Sequence, residues 1–293
     1  MDSRKKNVLA KHFWSTALCC ILLLATEGLF AQRSFYTPKS LIMPLHDRQN
    51  QLHVSVGRAG GYDLHLSYAF TNKFAVFGTA TLDHGIKKRR GMLNNRSNID
   101  RNDYVLRGGL GYFRKKEGRM FSILEVYAGA GVTEIDNYWY SLSSKLSNEE
   151  VTKAKYWSYF GQINIGDKLE RVEYGFGLRL VYSNYSYFRF YNRHRSNDLE
   201  QSQYIGLRGL TVEPGMNITF NLPKRLQVTC QYGLALPFGI RNVNQKNTTA
   251  YFDGSSVTVQ EQVERTNVPL TALMGRLGLQ YNLNLGGEQK TAH

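Results

Sequence analysis

The stretch from Gly209 to Phe238 constrains the fold more than any other part of the chain. It holds two runs in which apolar and polar residues alternate strictly, joined by Pro223-Lys224. A period of two places the apolar side chains of each run on one face of a β-strand, and the short join predicts a hairpin. Each arm is longer than the common strand of about five or six residues. Each arm also suits the roughly 9–11 residues that a tilted strand needs to cross a bilayer.

The pattern recurs along the chain and predicts ten strands. They lie at about 51–58, 62–70, 74–84, 103–114, 119–134, 155–166, 171–188, 209–222, 225–238 and 268–285. From the second strand onward, short turns alternate with long polar loops at about 85–102, 135–154, 189–204 and 240–266. Bacterial outer-membrane barrels have an even strand number and this alternation of turns and loops. We therefore predict an all-β, antiparallel up-and-down transmembrane barrel of about ten strands, with eight or twelve as alternatives. A soluble β-sandwich, which prefers shorter strands, is the competing fold.

The composition agrees with a membrane barrel. Only 42% of the 293 residues are hydrophobic, but a barrel needs lipid-facing apolar residues only at alternate positions. Aromatic residues make up 13% of the chain, which suits aromatic girdles at the two membrane interfaces. The formal net charge is +14, which in general indicates nucleic acid or an anionic surface as a partner.

Residues 1–31 are typical of a cleaved signal peptide, because a basic start precedes an apolar core at 13–25 and a small residue, Ala31, at the cleavage point. A membrane-anchor helix is the alternative, although its core is short of the about 20 residues that a span requires. Cleavage would leave Cys230 as the single cysteine, which excludes an internal disulfide and a cysteine-built metal site. Secretion through the inner membrane to the outer membrane follows.

The mature chain divides into three predicted parts. Residues 32–50 lack a clean period and contain Pro38 and Pro44, so we expect an extended lead-in on the periplasmic side. Residues 51–285 form the barrel, and 286–293 form a short polar tail.

Several short motifs resemble the small outer-membrane β-barrel proteins of bacteroidete-type bacteria. They are Phe30-Ala31-Gln32, Tyr36-Thr37-Pro38, Pro44-Leu45, Gly57 to Asp63 and Phe74 to Gly78. Many members of that group begin at a lipid-bearing cysteine, where this chain has Gln32. The activity of the group is largely unknown, so the resemblance implies a fold and a location rather than a chemistry.

If the apolar faces contact lipid, the opposite faces line the lumen. The residues placed there are His53, Asp63, His65, Arg107, Glu125, Glu173, Arg179, Glu213, Gln231, Arg276 and Gln280. Arg107, Glu125, Arg179, Glu213 and Arg276 form the candidate charge network, because buried opposite charges must pair. Arg179 and Glu213 are equally distant from the middle of the third long loop, which makes them candidate cross-strand partners. We expect polar side chains to plug the lumen, and a narrow porin-like passage for small solutes is the alternative.

Two basic segments are candidate contact surfaces. The run Lys87, Lys88, Arg89 and Arg90 could contact nucleic acid in a cytosolic protein. Behind a signal peptide it better suits lipopolysaccharide phosphates, and a merely solvated loop is an equal alternative. Tyr187, Arg189 and Tyr191 belong to an aromatic and basic tip that could stack on sugars. The same tip could form the outer aromatic girdle.

Evidence for catalysis in the sequence is weak. Asp83-His84 lies at the predicted outer rim, but adjacent residues of a strand point to opposite faces. His194 and Asp198 lie in the third long loop, and His53 could face His65 near Asp63. None of these groups has diagnostic spacing. We therefore expect no enzyme, no cofactor and no metal, and rank an outer-rim hydrolase third.

The predicted role is that of a structural or surface-interaction barrel. The expected partners are outer-membrane lipid, lipopolysaccharide, the barrel-assembly machinery and an unidentified extracellular ligand. Nucleic acid is not expected as a partner.

Overall fold

A computed structural model describes residues 36–90, 96–116, 121–141, 149–193, 199–238, 243–252, 255–266, 268 and 272–285. These residues form thirteen strands in one antiparallel sheet. The strands are β1 (Gln51–Arg58), β2 (Tyr62–Ala69), β3 (Phe74–Arg90), β4 (Arg96–Lys115), β5 (Ile123–Ser141), β6 (Glu149–Lys168), β7 (Val172–Arg193), β8 (Leu199–Ile205), β9 (Arg208–Asn221), β10 (Leu226–Phe238), β11 (Val243–Phe252), β12 (Val257–Thr266) and β13 (Ala272–Asn284). None of the described residues forms a helix long and apolar enough to span a membrane. The predicted signal peptide and polar tail lie outside the described residues.

Ten of the strands close into a barrel. Strands β1 to β7 pair in sequence order, and residues 172–184 of β7 pair with β9. Strands β10 and β13 complete the ring back to β1. Short turns join the strands at one end, which we call the short-turn end; the other is the long-strand end. The predicted all-β antiparallel barrel of ten strands is confirmed.

The hairpin that opened the sequence argument is β9 paired with β10. Its register sets Val228 opposite Phe220 and Tyr232 opposite Met216, so the apolar side chains share one face. A single 3-10 turn at Pro223–Arg225 joins the arms, with Arg225 at a φ of 64°.

Exposure alternates along the barrel strands because one face of each strand points outward. On β6, Trp157, Tyr159 and Ile163 are at least half exposed, while Ser158 and Gln162 between them are buried. Other outward positions are also large and apolar, among them Leu110, Leu178 and Leu277. The barrel therefore has an apolar outer wall and a polar interior.

The structure extends strands into the loops predicted at about 85–102 and 135–154. Strands β3 and β4 pair as far as Arg90 and Arg96, and β5 and β6 pair as far as Tyr140 and Glu149. Polar residues can continue a strand ladder because cross-strand pairs stabilise it in water. Lys155 and Glu134, 3.0 Å apart on β6 and β5, form one such pair.

Three further strands extend the sheet beside the barrel. β8 pairs with the tip of β7 at Arg189–Arg193, β11 pairs with β8, and β12 pairs with β11. β12 is exposed along almost its whole length. The third and fourth long loops predicted from the sequence are therefore largely replaced by this extension.

A bulge reverses the inward and outward faces of β7. Tyr156 pairs with Tyr185 and Lys155 pairs with Tyr187, so Ser186 has no partner in the ladder. An extra residue in one strand shifts the alternation of all residues beyond it. Phe188 therefore points inward, whereas the bulge leaves Arg189 exposed.

Candidate functional site

Residues 36–46 run inside the barrel, and we call this segment the strap. His46 hydrogen bonds near the short-turn end, to Ser67 on β2 and Glu125 on β5. At its other end Tyr36 contacts Glu213 and Tyr156, toward the long-strand end. The sequence indicated an extended periplasmic lead-in; the structure instead places this part of it among lumen side chains. Lumen donors and acceptors satisfy the strap's backbone, which explains why it needs no strand periodicity.

An ion pair binds residues 36–40 of the strap. Arg179 and Glu213 lie directly opposite each other on β7 and β9, and Arg179 Nε donates to Glu213 at 2.5 Å. The other guanidinium nitrogens donate to the strap carbonyls of Lys39 and Ser40. Tyr36 donates its hydroxyl to the second Glu213 oxygen at 2.6 Å. Both charged side chains are almost fully buried, so the pair and the strap depend on one another.

Neutral amides bind the middle of the strap. Gln231 accepts from the backbone N–H of Leu41 at 2.6 Å and donates to its carbonyl at 3.1 Å. Gln162 and Asn164 both donate to the carbonyl of Ile42, at 2.6 and 2.7 Å. These contacts imitate strand pairing, since each amide satisfies a backbone group that burial would otherwise leave unpaired. Gln162 and Asn164 were not among the lumen residues singled out from the sequence.

Glu125 holds the lower end of the strap. Its carboxylate accepts from the backbone N–H of His46 at 2.7 Å, from Asn164 at 3.0 Å and from Tyr127 at 3.1 Å. The side chain is completely buried. Three donors on a buried carboxylate compensate for much of its lost hydration.

A second ion pair joins β13 to β2 across β1. Arg276 donates to both oxygens of Asp63, at 2.9 and 3.1 Å, and also to Ser55 and Thr229. His65 Nε2 lies 2.7 Å from Asp63 and 3.0 Å from the Ser40 hydroxyl of the strap. Both contacts use the same ring nitrogen. A catalytic triad instead uses one nitrogen for the serine and the other for the carboxylate, so Ser40, His65 and Asp63 do not have triad geometry.

Arg107 is the member of the predicted network without a partner. It is 5% exposed, and none of its three guanidinium nitrogens hydrogen bonds within the described part of the chain. The structure therefore pairs Arg179 with Glu213, while Arg276 pairs with Asp63, Glu125 binds the strap and Arg107 hydrogen bonds to none of them. Glu173 and Gln280 also face the interior and both bond Gln227.

An aromatic and aliphatic cluster fills part of the lumen toward the long-strand end. Its aromatic members are Tyr36 of the strap, Tyr156, Tyr185, Phe188, Phe190 and Tyr204. The Tyr156 and Tyr185 ring centroids are 4.5 Å apart, and those of Phe188 and Tyr204 are 5.1 Å apart. Phe188 packs inside because the bulge on β7 turns it inward, whereas Tyr185 precedes the bulge and faces the lumen by ordinary alternation.

The residues predicted to form contact surfaces differ in their exposure and contacts. Lys87 forms an ion pair with the buried Asp83 at 2.6 Å, and Lys88 is exposed. The side chains of Arg89 and Arg90 lie outside the described residues. Arg189 lies 5.8 Å from the ring centre of Tyr187, and Tyr191 follows on the same strand.

The candidate rim histidines are not assembled into a dyad. Asp83 is buried and held by Lys87 and Arg101, whereas His84 is exposed and lies 3.4 Å from Asn102. The ring of His53 makes an edge-to-face contact with His46, with the centroids 4.6 Å apart, rather than facing His65. His194 and Asp198 lie outside the described residues. Across the described ranges, no three His, Cys, Asp or Glu side chains are arranged to hold a metal ion.

Inward glycines make room for the strap. A Cβ added to Gly215 would lie 2.7 Å from Leu41, and one added to Gly166 would lie 2.7 Å from Leu45. Nothing lies within 4 Å of the corresponding position at Gly161, which faces outward. The absence of a side chain at Gly215 and Gly166 is therefore a packing requirement.

Enlarging Gly215 should displace the strap. We expect Gly215→Val to destabilise the folded barrel by about 1–3 kcal/mol through overpacking against Leu41. Gly161→Val should have little effect, because its side chain would enter open space. Urea unfolding of both variants in lipid vesicles, followed by tryptophan fluorescence, measures the difference. Equal losses in the two variants would contradict the packing described here.

Comparisons with known proteins give fold-level similarities. No family model and no curated protein matches the sequence. The structure is similar to a major outer membrane protein from Thermus thermophilus, with a TM-score of 0.34 and 12% identity over 80% of this chain and 98% of that one. It is also similar to the translocator domain of the autotransporter NalP from Neisseria meningitidis, with a TM-score of 0.39 and 10% identity over 79% of this chain and 85% of that one.

Proposed function

We propose that this protein is a sealed outer-membrane barrel with a structural or surface-interaction role. The observation that carries the proposal is the strap, which occupies the lumen from one half to the other. The bacteroidete-type resemblance remains a hypothesis about its family.

The outer wall supports insertion in a membrane. Its exposed large apolar side chains lie on several neighbouring strands, for example Leu66, Val76, Leu110, Val126 and Ile163. Soluble monomers rarely expose an apolar patch of more than a few hundred Å². The basic start and apolar core of residues 1–31 agree with export, and the short-turn end would face the periplasm.

The interior supports a closed lumen. Between Leu41, Met43 and the walls of the barrel lies a cavity of about 30 Å³. That volume accommodates only about one or two water molecules. Together with the buried ion pairs, it favours a stiff plugged barrel over the narrow porin-like passage.

The long-strand end would then carry the interactions. Lys88 and Arg189 are exposed there, and Arg189 lies beside an aromatic ring. Lipopolysaccharide phosphates and anionic sugars are the ligands that this chemistry suits. The barrel-assembly machinery would insert the chain. A rim hydrolase would need a carboxylate to orient His84. Among the described residues, the hydrogen-bond partner of His84 is the amide of Asn102.

Flux through reconstituted vesicles tests the sealed lumen. We expect vesicles that contain the protein to release small ions and sugars no faster than empty vesicles. Folding is checked in the same sample by heat-modifiable gel migration, with fractionation of the producing cell to locate the protein. Rapid solute release by the folded barrel would favour the porin-like alternative, and a soluble periplasmic protein with ordinary migration would exclude the membrane assignment.

A further inference from the structure

A polar cavity opens at the short-turn end, where the strap enters the barrel. We call it the mouth cavity, and it measures about 750 Å³. Its lining includes Arg48, Glu173, Asn221, Arg225 and Gln227, together with Asn282. Small-molecule sites in proteins occupy about 300–1,000 Å³, so the mouth cavity has the size of a ligand site.

The floor of the mouth cavity is a preorganised set of amides. Asn282 donates to Gln227 Oε1 at 2.7 Å, and Gln227 donates to Glu173 at 2.8 Å and to Asn221. Asn221 in turn donates to the backbone of the turn before β7. A linked floor holds its polar atoms in place before a ligand arrives, which lowers the entropy lost on binding.

Two arginines give the mouth cavity a net positive charge. The side chain of Arg48 is 64% exposed, and its nearest carboxylate, that of Asp47, is 3.9 Å away. Asp47 is shared with Lys115 at 3.8 Å and Lys168 at 3.6 Å. Arg225 is exposed beside the cavity. Glu173 is the single acidic residue in the described lining, and it is buried and already bonded.

We propose that the mouth cavity binds a carboxylate of an acidic glycopeptide, the chemistry of the bacterial cell wall. Guanidinium groups bind carboxylates in a bidentate manner. The side-chain oxygens of Asn221 and Asn282 each accept one hydrogen bond within the floor and can accept a second from a hydroxyl or amide group. Gln227 and Asn282 line the inner side of the mouth cavity, whereas Leu222, Leu226 and Leu283 line it toward the outer wall, which contacts bilayer lipid. The polar groups of the cavity therefore lie on its aqueous side. An aqueous ligand therefore fits this cavity better than a lipid headgroup. The proposal rests on the orientation given under Proposed function, with this end in the periplasm.

The test uses the full chain purified in detergent, with folding verified by heat-modifiable migration. Binding of a soluble muramyl peptide is measured by calorimetry, and binding of isolated cell-wall sacculi by co-sedimentation. We compare Arg48→Gln/Arg225→Gln with Arg114→Gln/Arg171→Gln. The second pair removes the same charge from exposed residues near the same end that do not line the cavity.

The mouth cavity predicts an affinity loss of about tenfold or more for the first pair, since two charge-assisted contacts disappear, and less than about twofold for the second. No binding by the folded wild type would overturn the proposal, as would equal losses in both pairs. The proposal would also be overturned if anionic phospholipid vesicles displaced the muramyl peptide while Arg48→Gln/Arg225→Gln bound the peptide as tightly as the wild type. That result would indicate a lipid-binding surface. A chain without heat-modifiable migration would contradict the barrel assignment itself, which is a separate failure.

Discussion

Replacing Arg179 with methionine should destabilise the folded barrel by about 3–5 kcal/mol, the usual effect of leaving one buried charge unpaired. The substitution leaves Glu213 with Tyr36 as its remaining close donor and also removes the donors to the carbonyls of Lys39 and Ser40. Urea unfolding in lipid vesicles measures the loss.

A double variant separates the charge from the packing. In Arg179→Met/Glu213→Leu neither member of the pair is left behind as an unpaired charge, so part of the lost stability should return. The exposed pair of Lys246 and Glu261, 2.9 Å apart, provides the control, and Lys246→Met should cost less than about 1 kcal/mol. If Arg179→Met destabilised the barrel no more than Lys246→Met, the ion pair would not hold the strap.

Replacing the strap with a flexible linker should open the barrel. A Gly/Ser linker in place of residues 36–46 removes the side chains of Tyr36, Leu41 and His46, which anchor the segment. The linker keeps the backbone groups, but they are no longer held against Gln231 and Gln162. A disordered segment has little reason to stay in the lumen. We expect ion flux through reconstituted vesicles to rise by about tenfold or more, because the strap fills the space between the walls.

The matched control replaces β12 (Val257–Thr266) with the same linker. This strand is similar in length, almost fully exposed, and lies outside the closed barrel. Its replacement should leave the flux at the level of the intact protein. A rise in the β12 variant alone, or an unchanged flux in the strap variant, would show that something other than the strap closes the lumen.

The barrel could be predicted because lipid-facing strands carry a simple periodic signal. Every second residue of the hairpin Gly209 to Phe238 is apolar, and the same rule located the other barrel strands well enough to place Arg179 opposite Glu213. The signal fails where both sides of a strand contact water. Strands β8 and β11 have no apolar stripe, and that of β12 is limited to Val257, Val259 and Val263, so the pattern predicts loops there.

The strap could not be predicted from periodicity, because its contacts connect distant parts of the chain. Ile42 bonds Gln162, 120 residues away, and Leu41 bonds Gln231, 190 residues away. A usable signal was nevertheless present in the inward positions of the strands. Glycines at 166 and 215 and the neutral amides of Gln162 and Asn164 indicate a backbone lying close to the wall.

The β7 bulge explains why Phe188 packs inside the barrel. A strict alternation continued through Ser186 would place Phe188 on the outer face, whereas the structure has it buried inside. A single unpaired residue leaves no compositional mark, so the inward packing of Phe188 follows only from the register.

Thiol labelling of intact cells tests most directly whether the strap crosses the lumen. With Cys230 replaced by serine, a cysteine is introduced at Thr37, near Tyr156, or at Arg48, beside the short-turn end. A membrane-impermeant maleimide should label Thr37→Cys in intact cells, and Arg48→Cys only after the outer membrane is opened. Labelling of both sites only in opened cells would place the whole segment in the periplasm and contradict the account.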